Sequence, residues 1–196
     1  MLIIPEIILR EFPLLTPEYV EIHNYLASRG ITQEAYKYFG IRVNPAENEL
    51  AFCYSNILGN TLGIVFRKIT EKKIIGLSVE GVELPKRAKL GAWFGTHLVN
   101  VTAPLLIVES ELDCLRCYEF GFKNVVSPGG AQVTKQQVKA LYNQEVLLGF
   151  DSDAAGKHGN NKLKNMLKRG RIINWAPYKD PGEINTREEF WSKINA

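Results

Sequence analysis

The feature that most constrains the fold is a regular alternation of apolar runs and helix-like segments that begins near Ala103. The apolar runs predict four buried strands, at 105–108, 124–127, 146–150 and 171–176. The segments between and after them predict helices at 111–120, from Thr134, at 154–168 and from Thr186 through Lys193. Sequential β–α units close with right-handed crossovers into a parallel sheet. This half of the chain is therefore predicted to be an α/β fold, with a parallel four-stranded sheet and flanking helices.

Two helices are predicted near the N-terminus. The first begins at Thr16–Pro17, where a capping residue precedes proline, and runs to about Ser28. The second begins at Thr32 and continues through Phe39. The apolar stretch 1–9 is too short to cross a membrane, which takes about 20 residues, and we predict a strand or a docking segment there.

The middle of the chain predicts a small antiparallel sheet. Segments 50–54 and 61–69 alternate in polarity around a turn at Gly59–Asn60, as in a β-hairpin. Segment 81–98 predicts mostly loop with short strands. We expect two domains: a small basic α+β domain at 1–100 and the α/β domain at 101–196.

The aspartates of the chain are confined to its second half, and each follows a predicted strand. There are only four of them: Asp113, Asp151, Asp153 and Asp180. The carboxyl ends of parallel strands meet at one edge of the sheet, where open α/β folds bind their ligands. Carboxylates gathered there repel one another unless a cation or a proton intervenes. Hard oxygen donors without His or Cys favour Mg²⁺ or Mn²⁺, so a divalent-metal site is predicted.

Cysteine usage and hydropathy indicate the cellular compartment in which the protein is expected to fold. The chain has three cysteines, too few for a disulfide framework, which favours a reducing, cytoplasmic compartment. Cys114 and Cys117 share a predicted helix, and no second Cys/His pair completes a zinc site, so we predict that both pack in the core. No signal peptide and no membrane span are recognised.

Basic residues form two clusters although the net charge is only +3. Segment 157–171 contains six basic residues and no acid. The second cluster comprises Arg67, Lys68, Lys72, Lys73, Lys86, Arg87 and Lys89. Basic groups beside an acidic metal site suit a polyanionic substrate, whereas lysines on an exposed helix can also simply be solvated.

Several motifs in the second half resemble the TOPRIM domain, which bacterial-type primases, type IA and II topoisomerases and several nucleases share. Glu109 resembles the family's invariant glutamate, and Asp151 and Asp153 resemble its Asp-x-Asp pair. Within the family the motifs are most similar to those of phage primase–helicases. The motifs that carry this resemblance are Glu109-Ser-Glu-Leu-Asp113, Val126-Ser-Pro-Gly-Gly-Ala131, Phe150-Asp-Ser-Asp-Ala-Ala-Gly156 and Lys179-Asp-Pro181.

The first half adds a weaker resemblance to the primase catalytic core. It is carried by the segments 25–31 with 39–41, 63–67 and 93–95. The resemblance implies a Rossmann-like TOPRIM domain preceded by a small primase-like subdomain. It differs in three respects: Ser110 replaces the usual Gly, Gly182 stands where a second Asp is common, and no zinc module or helicase domain is recognised.

The resemblance also implies roles for individual residues. Catalytic roles fall on Glu109, Asp113, Asp151 and Asp153. Metal ligands are expected at Glu109, Asp151, Asp153 and Asp180. Nucleic-acid or NTP contacts are expected at Arg67, Lys86, Lys89, Gly129, Gly130 and Lys157. We expect Arg67 and Lys89 to be exposed, so that their replacement leaves the fold unchanged.

Our interpretation is a DNA primase catalytic core, from a phage or another mobile replicon. It would synthesise short RNA primers on single-stranded DNA from NTPs with Mg²⁺ or Mn²⁺. Expected partners are a replicative helicase and a separate zinc-binding module, in the cytoplasm of the cell or of a viral host. The alternatives are a TOPRIM-type nuclease, which would use the same carboxylates with water as nucleophile, and a non-catalytic nucleic-acid-binding replication module. A haloacid-dehalogenase-like phosphatase is disfavoured, because its Asp-x-Asp pair lies on the first strand of the core.

Overall fold

The computed structural model describes residues 3–70, 74–76, 78–79, 82–83, 91–141 and 143–196. Its helices are α1 (Glu6–Leu9), α2 (Val20–Ser28), α3 (Gln33–Tyr38), α4 (Glu111–Glu119), α5 (Lys135–Lys139), α6 (Ala154–Leu167) and α7 (Arg187–Asn195). Single 3-10 turns lie at Thr96–Leu98 and Pro181–Glu183. None of the described helices is long and apolar enough to span a bilayer.

The strands form two principal sheets. Those before residue 100 are β1 (Arg42–Asn44), β2 (Glu49–Ser55), β3 (Thr61–Lys68), β4 (Ile74–Gly76), β5 (Ser78–Val79), β6 (Val82–Glu83) and β7 (Trp93–Phe94). Strands β1 to β4 lie side by side in an antiparallel sheet, and β7 pairs with β2. Strands β5 and β6 form a separate two-stranded pair.

The predicted hairpin is confirmed. Strands β2 and β3 are antiparallel neighbours, and the turn between them is closed by Asn56, whose side-chain oxygen accepts hydrogen bonds from the N–H groups of Leu58 and Asn60, each at 3.0 Å. Gly59 has a φ of 82°, a conformation that glycine adopts without a steric penalty. Within the predicted loop at 81–98, residues 82–83 and 91–98 are described, and they contain the short strands β6 and β7 and the 3-10 turn at Thr96–Leu98.

The predicted parallel sheet is confirmed. Its strands are β8 (Leu105–Val108), β9 (Val125–Val126), β10 (Val146–Gly149) and β11 (Arg171–Ile172), in the order β11-β10-β8-β9. Successive strand residues point to opposite faces, so one apolar run supplies two layers of core. Leu106 and Val108 pack with Leu112 of α4 and Phe190 of α7, whereas Leu105 and Ile107 pack on the other face, in a cluster that includes Leu163 of α6.

The two halves are tied together by packing and hydrogen bonds. Phe94 and Ser127 form an isolated bridge between β7 and the segment after β9. Glu119 of α4 accepts hydrogen bonds from the N–H and the hydroxyl of Thr32, at 2.8 and 2.9 Å. One hydrophobic cluster includes residues from both halves, such as Phe39 and Leu115. The division into domains at residue 100 stays a prediction.

Three predicted elements differ in detail. Helix α2 begins at Val20 instead of Thr16, because residues 17–19 form a turn and the Thr16 hydroxyl is buried without capping any N–H. The N-terminal stretch forms the short helix α1 instead of a strand, and Ile4 docks it on β3 through a 2.8 Å hydrogen bond to the Thr61 carbonyl. Strand β11 ends at Ile172, four residues earlier than predicted.

Candidate functional site

A cleft of about 460 Å³ lies where the carboxyl ends of β8 and β10 face the N-terminal half. Its acidic wall comprises Glu109, Glu111, Asp113, Asp151, Asp180 and Glu183. The opposite side is lined by Ser28, Arg29, Ile31 and Arg67, and Lys179 lies with the acids. The fold thus gathers most of the predicted acidic residues in one place, opposite basic groups from the other half.

Glu109 follows β8 directly, and its half-buried carboxylate belongs to the cleft. The Oε2 atom is buried and has no hydrogen-bond partner in the described part of the chain. Burial, together with the nearby charge of Asp151, raises the pKa of Glu109 to about 7. A backbone hydrogen bond from Asp151 and the positive charge of Lys179 lower the pKa of Glu109 but offset only part of this effect.

Asp113 fixes the turn between β8 and α4. Its Oδ2 accepts hydrogen bonds from the N–H and the hydroxyl of Ser110, at 2.9 and 2.7 Å, while the Ser110 hydroxyl accepts from the Asp113 N–H at 3.3 Å. This is a capping box in which aspartate takes the place of the usual glutamate. Ser110 has a φ of −118°, so this position does not require the glycine found in similar proteins.

The environment of Asp113 opposes its ionisation. Burial raises the pKa of this carboxyl to about 8, with a further contribution from the charge of Asp180. Asp180 begins the 3-10 turn, and its Oδ1 accepts a hydrogen bond from the Gly182 N–H at 2.8 Å. Burial and the charge of Asp151 raise the pKa of Asp180 as well. Burial first, and repulsion between neighbouring carboxylates second, thus oppose ionisation of Asp113 and Asp180.

Asp151 and Asp153 follow β10 and surround the ammonium of Lys179. The Lys179 Nζ lies 2.8 Å from Asp151 Oδ2 and 3.9 Å from Asp153 Oδ2. Asp151 is buried, whereas Asp153 is exposed and caps α6 by accepting a 2.9 Å hydrogen bond from the Gly156 N–H. A Cβ at Gly156 would lie 2.2 Å from the Asp151 carbonyl oxygen, so glycine is required for this loop to close.

Gly129 and Gly130 form the floor of the cleft. Both have positive φ angles, 79° and 146°, and the turn is held by Ser127, which accepts a 2.9 Å hydrogen bond from the Gly129 N–H. The Ser127 hydroxyl also donates to the Glu109 carbonyl at 2.8 Å. No heavy atom lies within 4 Å of a Cβ built at Gly130, so the backbone there is open to a ligand.

The predicted basic residues are placed unequally. Arg67 lines the cleft but is only 8% exposed, so the expectation of an exposed side chain is wrong. Its Nε is buried and makes no hydrogen bond to the residues that the structure describes. Lys157 is exposed on α6 and is absent from the lining of the cleft. Lys86 and Lys89 lie outside the described residues, and binding by all four residues stays a prediction.

Sequence reasoning missed three polar residues of the cleft. Lys179 could have been found from its place beside Asp180 in the Lys-Asp-Pro motif. Arg116 and Glu111 could not have been found from sequence, because their roles depend on contacts with distant segments. Arg116 donates hydrogen bonds to the Gly30 and Ile184 carbonyls, at 2.6 and 2.8 Å. Glu111 accepts a hydrogen bond from Tyr54 of the N-terminal half. Both serve to hold the cleft's walls together.

The donor set suits a hard divalent cation in its chemistry. The wall offers carboxylate oxygens, and the buried Oε2 of Glu109 has no partner among the described residues. Burial and neighbouring negative charges raise the pKa of Glu109 and of Asp113, and a bound cation would favour their ionised forms. In the described ranges, however, no three His, Cys, Asp or Glu side chains already converge as a metal site. The residues fit a metal ion once their side chains turn towards it.

Comparison with known proteins places this geometry in a family. Residues 106–185 match the model of the Toprim-like family. The DNA primase of Borreliella burgdorferi is 26% identical over 147 residues, which cover 70% of this chain and 28% of that primase. The chain thus spans less than a third of that relative's length. Primases with such a core are generally metal-dependent.

Two solved structures share the fold. The primase fragment of the bacteriophage T7 primase–helicase protein aligns with a TM-score of 0.69 and 24% identity, covering 86% of this chain and 72% of that one. The zinc-binding and RNA polymerase domains of the Aquifex aeolicus primase align with a TM-score of 0.71 and 20% identity, covering 89% and 55%. Residues 106–185 form a Toprim-like domain. Over most of its length the chain shares the fold of these two primase structures.

Proposed function

We propose that this chain is the catalytic core of a DNA primase, which synthesises short RNA primers on single-stranded DNA from NTPs with Mg²⁺ or Mn²⁺. The observation that supports the proposal is that acidic residues and basic residues line opposite walls of the same cleft. The Glu109 carboxylate, whose buried Oε2 has no hydrogen-bond partner among the described residues, lies on one wall, and the buried guanidinium of Arg67 lines the other. Nucleotidyl transfer needs both, since a cation site must lie beside a phosphate site.

In this proposal the acidic wall would bind the metal ion and accept the proton of the attacking 3′-hydroxyl. Glu109, Asp151, Asp153 and Asp180 would be the ligands, and the metal would bring the primer 3′-hydroxyl and the triphosphate together. Glu109, with a pKa of about 7, is alternatively suited to accept the proton of that hydroxyl near neutral pH. Asp113 would act through its hydrogen bonds to Ser110, which orient the turn that carries Glu109.

The basic wall and the glycine turn would bind the phosphates. The Nε of Arg67 makes no hydrogen bond to the described residues, and its planar guanidinium suits phosphate oxygens. Gly129 and Gly130 let main chain approach a phosphate closely. Lys86, Lys89 and Lys157 would extend contact along the template by sequence-independent attraction.

The partners and the setting belong to the same proposal. The T7 relative is part of a primase–helicase protein and the Aquifex relative carries a zinc-binding domain. We infer that this core works with a replicative helicase and with a zinc-binding module during phage or mobile-element replication in the cytoplasm. Adding either partner should raise primer yield by concentrating the core at its template.

One assay separates this function from a TOPRIM nuclease. Purified protein is given labelled NTPs on single-stranded DNA and, in parallel, labelled duplex and single-stranded DNA, each with Mg²⁺, Mn²⁺ or EDTA. The proposal predicts metal-dependent NTP incorporation without cleavage. Metal-dependent cleavage without incorporation would instead assign the carboxylates to hydrolysis, and activity in neither assay, with binding retained, would favour a non-catalytic module.

A further inference from the structure

Lys179 occupies the position that a cation would take between the two acids after β10. Its Nζ is 2.8 Å from Asp151 Oδ2 and 3.9 Å from Asp153 Oδ2. The Asp151 side chain is 11% exposed and the Lys179 side chain 41% exposed, so the pair lies at the mouth of the cleft. The ammonium thus neutralises part of the acidic wall in the protein as it stands.

Hydrogen bonds anchor the backbone of Lys179, whereas its long side chain has several rotatable bonds. The Ser152 N–H donates to the Lys179 carbonyl at 2.6 Å, which joins the Asp-x-Asp loop to the Lys-Asp-Pro turn. The Lys179 N–H in turn donates to Glu183 Oε2 at 2.7 Å. Four flexible methylenes separate this anchored main chain from the ammonium, so the charge can leave Asp151 without moving the loop.

Displacement of this ammonium by a divalent ion costs little. A salt bridge whose lysine is well exposed contributes at most about 1 kcal/mol, because water screens it and the lysine loses side-chain entropy. A divalent ion brings twice the charge to carboxylates that repel one another. Asp151 Oδ2 cannot give its full charge to both cations, so the two compete for one oxygen.

We propose that Lys179 is a built-in counter-cation, which holds Asp151 and Asp153 in the metal-free protein and yields its place to the divalent ion. This inference rests on the metal site of the proposed function and adds the residue that sets its affinity. Once displaced, the ammonium stays tethered in the cleft beside Gly130 and can meet a phosphate. Lys179 is therefore a positioning residue. Its ammonium contacts the Asp151 carboxylate in the metal-free protein and a substrate phosphate once the divalent ion is bound.

The direct test measures Mn²⁺ binding without nucleic acid or NTP. Calorimetry or electron paramagnetic resonance gives the Kd for wild type, Lys179→Met, Lys179→Arg and Lys162→Met. Lys162 is an exposed lysine of α6 that does not line the cleft, so its variant controls for lost charge alone. Lys179→Met should bind Mn²⁺ about two- to fivefold more tightly, as expected for loss of a competitor worth up to about 1 kcal/mol.

Charge-preserving Lys179→Arg should bind Mn²⁺ no more tightly than wild type, and Lys162→Met should match wild type. Equal or weaker binding by folded Lys179→Met would overturn the proposal, since it would mean that the ammonium supports the site instead of competing for it. Circular dichroism and thermal melting establish that each variant is folded.

A second measurement uses the wild-type protein, so it does not depend on the folding of a variant. The rate of reductive methylation of Lys179 is followed by peptide mass spectrometry, with Lys162 as internal reference. Mg²⁺ should accelerate methylation of Lys179 relative to Lys162 by freeing its amine. An unchanged or slower rate under saturating Mg²⁺ would contradict displacement. Failure of wild type to bind any divalent ion would remove the metal site itself, and the proposed function with it.

Discussion

The hydroxyl of Tyr54 donates a 2.6 Å hydrogen bond to Oε1 of Glu111, and this contact joins the antiparallel sheet to the first residue of α4. Both residues are buried. Glu111 lies two residues after Glu109, so the bond also fixes the turn on which the acidic wall depends.

Tyr54→Phe should therefore destabilise the protein, since it removes one donor from a buried carboxylate. We expect a loss of about 2 kcal/mol, the range for hydrogen bonds to charged groups. Urea unfolding followed by fluorescence measures it. Tyr118→Phe is the control, since none of the described residues hydrogen-bonds the Tyr118 hydroxyl, and it should change stability much less. Equal effects of the two changes would show that the Tyr54 bond is of little consequence.

Glu109→Gln should stabilise the metal-free protein at alkaline pH. The folded-state pKa of Glu109 is raised to about 7 from 4.5, so the folded state binds more protons than the unfolded state between these values. Stability from this group is then lost as pH rises from about 4.5 to about 7. Discounted for partial exposure, the gain on substitution is about 1 kcal/mol at pH 8.

Urea unfolding in EDTA at pH 4, 6 and 8 tests this dependence. The two proteins should be closest at pH 4, where both states are protonated, and should diverge towards pH 8. Glu145→Gln, an exposed change at the opposite edge of the parallel sheet, controls for generic loss of charge. A variant less stable than wild type at pH 8 would contradict the conclusion that its surroundings disfavour ionised Glu109.

Gly156→Ala should be more disruptive than glycine replacement at an open turn. A Cβ at Gly156 meets the Asp151 carbonyl at 2.2 Å, whereas one at Gly40 meets no heavy atom within 4 Å. We expect about 3 kcal/mol for the first change, from overpacking, and about 1 kcal/mol for Gly40→Ala, from its positive φ alone. Thermal and urea unfolding compare them, and a tolerated Gly156→Ala would mean that the Asp-x-Asp loop is not tightly closed.

Arg67→Ala should weaken binding of single-stranded DNA or NTP and reduce its salt dependence. Each lost phosphate contact lowers the slope of log K against log salt by about one. Lys68→Ala is the matched control, because its side chain follows on the same strand, points to the opposite face and does not line the cleft. Identical slopes for wild type and Arg67→Ala would show that Arg67 contacts no phosphate and has only a structural role.

The sheet and the gathering of acids were predictable from local sequence. The runs Leu105–Val108 and Val146–Gly149 are short, apolar and buried on both faces, and the topology of β–α units then places the residues after them along one edge. The capping boxes at Thr134 and Thr186 were also predictable from local sequence, because each depends on a residue only three positions further along the chain. In these places sequence spacing alone determines the geometry.

The missed features depend on contacts between distant segments. Arg67 was expected to be exposed on its strand, but it is 8% exposed and lines a cleft together with residues of the second half. The start of α2 was displaced because Leu15 donates a 2.8 Å hydrogen bond to the Ile41 carbonyl, which holds the preceding chain extended. The placement of the Lys179 ammonium on Asp151 likewise requires two loops that are 28 residues apart to meet.

Template-dependent primer synthesis by wild type, Glu109→Gln and Glu145→Gln tests the central claim most directly. Labelled NTPs, single-stranded DNA and Mn²⁺ or Mg²⁺ are supplied, and products are resolved on a denaturing gel. We expect wild type and Glu145→Gln to make primers at similar rates, and Glu109→Gln to be slower by about a hundredfold or more, as for loss of a group at the reacting atoms. Unimpaired synthesis by Glu109→Gln, or none by wild type with its partners present, would contradict the assignment of this cleft to primer synthesis.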